Sequence, residues 1–175
     1  MKKLALLRKE ITKKGNVRRA HISRGFFKTG PGEYGEGDVF IGLTVPQCRL
    51  LAKKYQGISL KEIEQLLRST IHEERLISLL FLLDLFKEGD EQRQKTIYNF
   101  YLRSTRWINN WDLVDLSAEK IVGAYLLKRP KQILRRLAKS KNVWERAKEL
   151  KTNLRNAAFI VALERIERAI KTPLN

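Results

Sequence analysis

Leu67-Arg68-Ser69-Thr70, Leu102-Arg103-Ser104-Thr105 and Ala138-Lys139-Ser140-Lys141 are three near-copies of one phrase. Their serines fall 35 and 36 residues apart, and each phrase precedes an apolar run: Leu76 to Phe86, Trp111 to Ile121, and Leu150 to Leu163. An interval of that length is one helix–turn–helix unit, too small to bury its own apolar face and stable only when stacked on its neighbours. Positions equivalent by register should then carry equivalent residue types. Seven residues past each serine stand Leu76, Trp111 and Ala147; eleven past stand Leu80, Asp115 and Lys151. The middle unit therefore puts a carboxylate where its predecessor has a leucine fit for a core.

Outward from these phrases, the spacing of apolar residues predicts helices almost throughout. Leu4, Leu7 and Ile11 mark a first helix ending near Gly15, and Ala20 to Phe27 a second. Thr29 to Gly42 holds five glycines and Pro31 and reads as a loop. Helices resume over Val45 to Tyr55, with Pro46 in its first turn, and over Ser59 to Leu67, opened by a Ser59-x-x-Glu62 capping box. Ile71 to Phe86, Asp90 to Leu102 and Asn110 to Leu127 follow, then Pro130 to Ala138 and one long or two broken helices over Asn142 to Ile170. No run reads as a strand. The expected fold is all-α, a single domain over residues 1–175 built as a HEAT-like solenoid of stacked antiparallel helix pairs.

A chain of 175 residues with 43% hydrophobic content can bury a real core. No apolar stretch approaches the ~18 residues of a membrane span, and Leu4 to Leu7 is too short for a secretory signal, so a cytoplasmic protein is expected. One cysteine, Cys48, excludes an internal disulfide, and with only His21 and His72 in the chain no metal site is expected; nor is a cofactor. The net charge of +17 is unevenly placed. Residues 1–28 carry ten Lys/Arg against one Glu and residues 128–175 fourteen against four, while the middle is near neutral. Two basic ends suit a clamp on a polyanion, whose counterions they displace, although a basic surface also serves solubility alone.

Trp111 and Asp115 stand at i and i+4 and so share one helix face, an aromatic plane beside an anion. Taken singly, each has an ordinary explanation: tryptophan fills cores, and an aspartate near a helix start caps it or complements its dipole. Asp112 fits that role, in a helix that Asn109 or Asn110 would cap. Asp115 lies deeper, between Val114 and Leu116, where a charge needs a partner or a purpose. The glycine-rich loop is a poor phosphate cradle, since Glu33, Glu36 and Asp38 make it acidic and no Lys-Ser/Thr follows; it is expected to bridge two helical layers. His72-Glu73-Glu74-Arg75 reads as a solvated helix start with Arg75 open to pairing, both histidines as surface residues, and Trp107 and Trp144 as core or ridge residues.

Several long motifs strongly resemble one family: Phe26-Phe27-Lys28-Thr29-Gly30-Pro31-Gly32-Glu33-Tyr34-Gly35-Glu36-Gly37-Asp38, Val45-Pro46, His72-Glu73-Glu74-Arg75, Asn109-Asn110-Trp111-Asp112-Leu113-Val114-Asp115-Leu116 and Trp144-Glu145-Arg146. The chain resembles the DNA alkylation repair family of HEAT-like-repeat alkylpurine DNA glycosylases from about Leu4 to Arg146. What the resemblance implies is a curved solenoid with a concave basic face on double-stranded DNA, excising positively charged N3- or N7-alkylated purines without enclosing a flipped base. It carries the family's catalytic aspartate onto Asp115 and its neighbouring tryptophan onto Trp111. Arg106, Arg146, Lys148, Lys151 and Tyr34 are the residues expected to meet DNA, with the protein acting as a monomer. Two departures stand out. The family's arginine three residues after the tryptophan matched by Trp144 is here Ala147. Beyond Arg146 the motifs dissolve, so that residues 147–175 read as a divergent helical ending and a second family tryptophan has no counterpart. A non-catalytic DNA-binding protein, or a protein-interaction scaffold on the same fold, is the alternative expectation.

Overall fold

The computed structural model of the chain describes residues 2–31, 33, 35–127 and 129. Among these it is all-α with no strand; Val39 and Ile71 form one isolated parallel bridge. The chain divides into two compact units, Met1–Glu88 and Gly89–Asn175.

In the first unit, α1 (Lys2–Lys14) buries Leu4, Leu7 and Ile11, the stripe its sequence spacing predicts. α2 (Val17–Phe26) opens at Asn16, whose side chain accepts from the Arg19 amide, and buries only Ala20. Both α3 (Val45–Lys54) and α4 (Leu60–Leu67) begin with complete capping boxes, Thr44 with Gln47 and Ser59 with Glu62. Together they pack on α5 (His72–Glu88), whose residues from His72 to Leu82 are buried on every side. A helix with no exposed face over three turns needs no amphipathic stripe, and α5 shows none in its sequence.

The polar start of α5 departs from expectation. His72, Glu73, Glu74 and Arg75 are buried, not solvated, and His72 is no surface histidine. The loop that precedes α3 lies over them and supplies their partners. Glu73 accepts from the Ile41, Gly42 and Leu43 amides at 2.7–3.2 Å. Arg75 pairs with Asp38 at 2.6 Å, and the Glu74 carboxylate receives the Arg8 guanidinium at 3.2 Å. The His72 ring stacks on Phe40, centroids 4.5 Å apart, with its Nδ1 3.4 Å from Asp38. Each buried charge thus has an opposite charge or a set of backbone donors facing it, the condition under which burial is tolerated. Gly42 is obligatory here: its φ is +89°, and a Cβ would stand 2.2 Å from the Asn16 carbonyl oxygen. The glycine-rich segment therefore does join helical elements within this unit, through the backbone of residues 39–43.

The second unit contains α6 (Glu91–Arg103), opened by Asp90, whose carboxylate accepts from the Arg93 amide. A 3₁₀ turn (Thr105–Trp107) leads to α7 (Trp111–Ala118), which runs through a wide π-type turn (Glu119–Gly123) into α8 (Ala124–Leu127) without leaving helical backbone angles. The helices expected over Pro130 to Ala138 and Asn142 to Ile170, and Trp144 with them, lie outside the described residues.

Candidate active site

The approach to α7 is a backbone-bonded turn. Ser104 and Thr105 are buried, and the 3₁₀ turn closes on backbone bonds from Trp107 to Ser104 and from Ile108 to Thr105, each 3.0 Å. Arg106 projects from this turn, exposed, with its guanidinium carbon 4.7 Å from the centre of the Trp107 ring. That contact holds the cation over an aromatic face while leaving its donors outward. Trp107 is half-buried, consistent with a ridge residue.

Asn110 starts α7 with extended backbone (φ −101°, ψ 145°), and its carbonyl accepts from the Val114 amide at 3.2 Å. Its side chain does not cap the helix, unlike the sequence expectation; Asp112, in the first turn, complements the positive end of the dipole. The inner face of α7 carries Leu113, Val114, Ser117 and Ala118. Ser117 donates its hydroxyl proton to the Leu113 carbonyl at 2.6 Å, so the Tyr101 hydroxyl, 2.9 Å from Ser117 Oγ, is the donor of that second bond. Tyr101 is wholly buried, and burial raises its phenol above the usual range. One fully enclosed hydrogen-bonded pair thereby sets the rotation of α7 against α6.

With that rotation set, the outer face presents Asp115. It is exposed, and among the described residues no hydrogen bond or ion pair engages it. Trp111, one turn earlier, is half-buried. The pair singled out by register thus shares a helix face that opens to solvent. Its register-equivalent Leu80 is buried, so the two positions occupy different environments despite equivalent spacing.

The π-type turn follows at once. Buried residues on both sides of Asp115 recur every four positions, as Leu113, Ser117, Ile121 and Tyr125 and as Val114, Ala118, Val122 and Leu126. A regular α-helix advances about 100° per residue, so each four-residue step would rotate the stripe by about 40°. The wide turn, with the Ala124 amide bonded back to the Glu119 carbonyl, takes up that drift and keeps the stripe inward. The outward stripe is preserved equally: Asp115, Glu119 and Gly123 are all exposed. Among the described residues a Cβ on Gly123 would meet nothing closer than Glu119 Cγ at 3.8 Å, so none of them calls for glycine there, which costs about 1 kcal/mol relative to alanine in a helix.

Arg129 is engaged otherwise. It lies 3.8 Å over the Tyr125 ring, donates to the Tyr125 carbonyl and pairs with Glu91, while Tyr125 stacks on Tyr98 at 4.1 Å. These contacts tie α8 to α6, an arrangement no spacing rule in the sequence announces. Of the residues expected to meet DNA, Arg106 is exposed on this unit, while Tyr34, Arg146, Lys148 and Lys151, together with Ala147, lie outside the described residues. Among the described residues no three His, Cys, Asp or Glu side chains converge as a metal site would require, and no helix is long and apolar enough to cross a membrane. Sequence reasoning passed over Tyr101 and Ser117, for which the only signal is polar atoms on an otherwise apolar face, and over Glu119 and Gly123.

The family model described as DNA alkylation repair enzyme matches residues 7–172, through and beyond the segment where the recognisable motifs end. No curated protein and no solved structure matches the chain.

Proposed function

The chain belongs to the DNA alkylation repair enzyme family, and on that premise we propose that it hydrolyses the N-glycosidic bond of positively charged N3- or N7-alkylated purines in duplex DNA. The single observation that carries this reading is the pairing of an exposed carboxylate, unengaged among the described residues, with an aromatic side chain one helical turn away, Asp115 with Trp111.

The chemistry suits these groups. An alkylated purine already bears positive charge and leaves readily, so little general-acid help is needed. Charge develops instead on the deoxyribose, which becomes oxocarbenium-like as the bond to the base breaks. Asp115 stabilises that cation electrostatically and orients the attacking water, whose oxygen bonds to the anomeric carbon and loses a proton to solvent as the neutral base departs. The π face of Trp111 packs on the sugar and attracts the same charge. No cofactor takes part. Lysines and arginines hold the phosphate backbone, with Arg106, Arg146, Lys148, Lys151 and Tyr34 the residues proposed to meet DNA.

Release of 7-methylguanine from methylated duplex DNA tests the reading, with wild type beside Asp115→Asn. Release by wild type that falls by a factor of about 10² or more in the variant is expected, the scale seen when one transition-state electrostatic group is removed. Equal release by both, or none by wild type, overturns it. Ala147, in the place of an arginine, favours a second reading as a DNA-binding protein without catalysis. Salt-sensitive binding with no base release by wild type would establish that alternative.

A further inference from the structure

We infer that the reaction site extends one helical turn beyond Asp115: Glu119 is a second carboxylate that selects for positive charge on the lesion or its sugar, and Gly123 is the bare ledge that lets the DNA strand come close. The inference rests on the glycosylase reading of Asp115 and adds two residues to it.

The first observation is placement. Asp115 and Glu119 are both exposed, stand four residues apart, and are joined by helical backbone, so their side chains leave the same face one turn apart. Among the described residues neither has a hydrogen-bond or ion-pair partner. Two carboxylates at this spacing repel each other and disfavour the helix that bears them. On a protein of net charge +17 they also oppose the phosphate backbone of any DNA that approaches. A cation at this face is attracted by both carboxylates, which offsets their mutual repulsion and replaces the repulsion of phosphate by attraction.

The second observation is independent of charge. Gly123 continues the same outward stripe, is exposed and has no left-handed backbone angle, and a Cβ there would make only ordinary contacts with the described residues, 3.8 Å from Glu119 Cγ and 3.9 Å from the Ala118 carbonyl oxygen. Among the described residues nothing requires glycine there. A residue that weakens its own helix without any internal steric need is accounted for by a close neighbour outside the chain, as where backbone must approach a ligand. The π-type turn is what keeps Gly123 on the stripe of Asp115 and Glu119, since a regular helix would have carried it around the side. Trp111, Asp115, Glu119 and Gly123 then read in order along one face as aromatic plane, anion, anion and open ledge.

The test compares binding to two duplexes, one with a positively charged pyrrolidine in place of the target deoxyribose and one with neutral tetrahydrofuran, with 7-methylguanine release followed in parallel. Wild type is expected to prefer the cationic duplex. Glu119→Gln should lose roughly three- to tenfold of that preference, the scale of one nearby charge in a partly desolvated interface, while Glu119→Asp keeps most of it. Gly123→Leu should raise the thermal midpoint, since leucine is the better helix former, yet weaken both duplexes alike. Two results overturn the inference while leaving the glycosylase reading intact: an unchanged cation preference in Glu119→Gln where Asp115→Asn loses it, or undiminished binding by Gly123→Leu. A wild type that releases no base but loses its cation preference on Glu119→Gln refutes the glycosylase reading and upholds the selection for charge. A wild type with neither preference nor release refutes both.

Discussion

Among the described residues nothing engages the Asp115 carboxylate, and on the proposed function its replacement separates binding from chemistry. On that function the carboxylate faces phosphates that repel it in the ground state and a cation in the transition state. Asp115→Asn should therefore bind undamaged duplex as tightly as wild type or more so, while base release falls, a division measurable by titration beside single-turnover kinetics. Tyr101 is the opposite case, a residue whose whole value is structural. Tyr101→Phe leaves Ser117 bonded to the Leu113 carbonyl but removes the donor to its oxygen, and should lower stability in urea by about 1 kcal/mol. Cys48 is sealed in the first unit, where burial first and the Glu73 charge second push its thiol up to about 12. The unfolded chain releases that proton near 9.0 and the folded chain does not, so between those values the folded state holds more protons and stability falls as pH rises, by up to about 1.4 kcal/mol per unit. Urea midpoints taken from pH 8 to 11 should fall more steeply in wild type than in Cys48→Ala.

Among the elements, the loop before α3 and the start of α5 form one device. Glu73 gathers three consecutive backbone amides, so Glu73→Ala strands buried donors and should cost about 3 kcal/mol or more, with the loss concentrated in the first unit. Exposed Lys53→Ala in the same unit should change stability by less than about 0.5 kcal/mol in the same urea titration. The helices themselves were legible, because capping residues and apolar spacing act within a few positions: Ser59 with Glu62, Asp90 before α6, Leu4 with Leu7 and Ile11. The burial of His72-Glu73-Glu74-Arg75 was not, because the groups that neutralise them arrive from Arg8, Asp38 and residues 41–43, far away in sequence. The π-type turn escaped notice for a related reason. Four-residue recurrence of Leu113, Ser117, Ile121 and Tyr125 is compatible with an ordinary helix until one asks which face must stay buried.

At the scale of the whole molecule, charge is the dominant property, and affinity for duplex DNA should fall steeply with salt, by about 0.9 in log–log slope per phosphate neutralised. Removing residues 1–14 would be a poor test of the basic amino-terminal segment, because α1 supplies Leu4, Leu7 and Ile11 to the core. The exposed Lys9 and Lys13 are better targets; if both meet phosphates, replacing them with glutamine should flatten the slope by about 2 with stability unchanged, measured by fluorescence anisotropy from 50 to 300 mM salt. The sequence by itself determined the helical class, the caps, the asymmetric charge and the spacing that sets Trp111 and Asp115 on one face, since all of these follow from local geometry and composition. Which faces are enclosed was decided only by tertiary structure. Leu80 and Asp115 stand equally far past Ser69 and Ser104, yet one is buried and the other open, and four charged or polar residues at the start of α5 lie in the interior. Burial depends on what packs against a residue, and the partners that settle it, Tyr101 for α7 and the backbone of residues 41–43 for α5, come from parts of the chain that no local pattern connects.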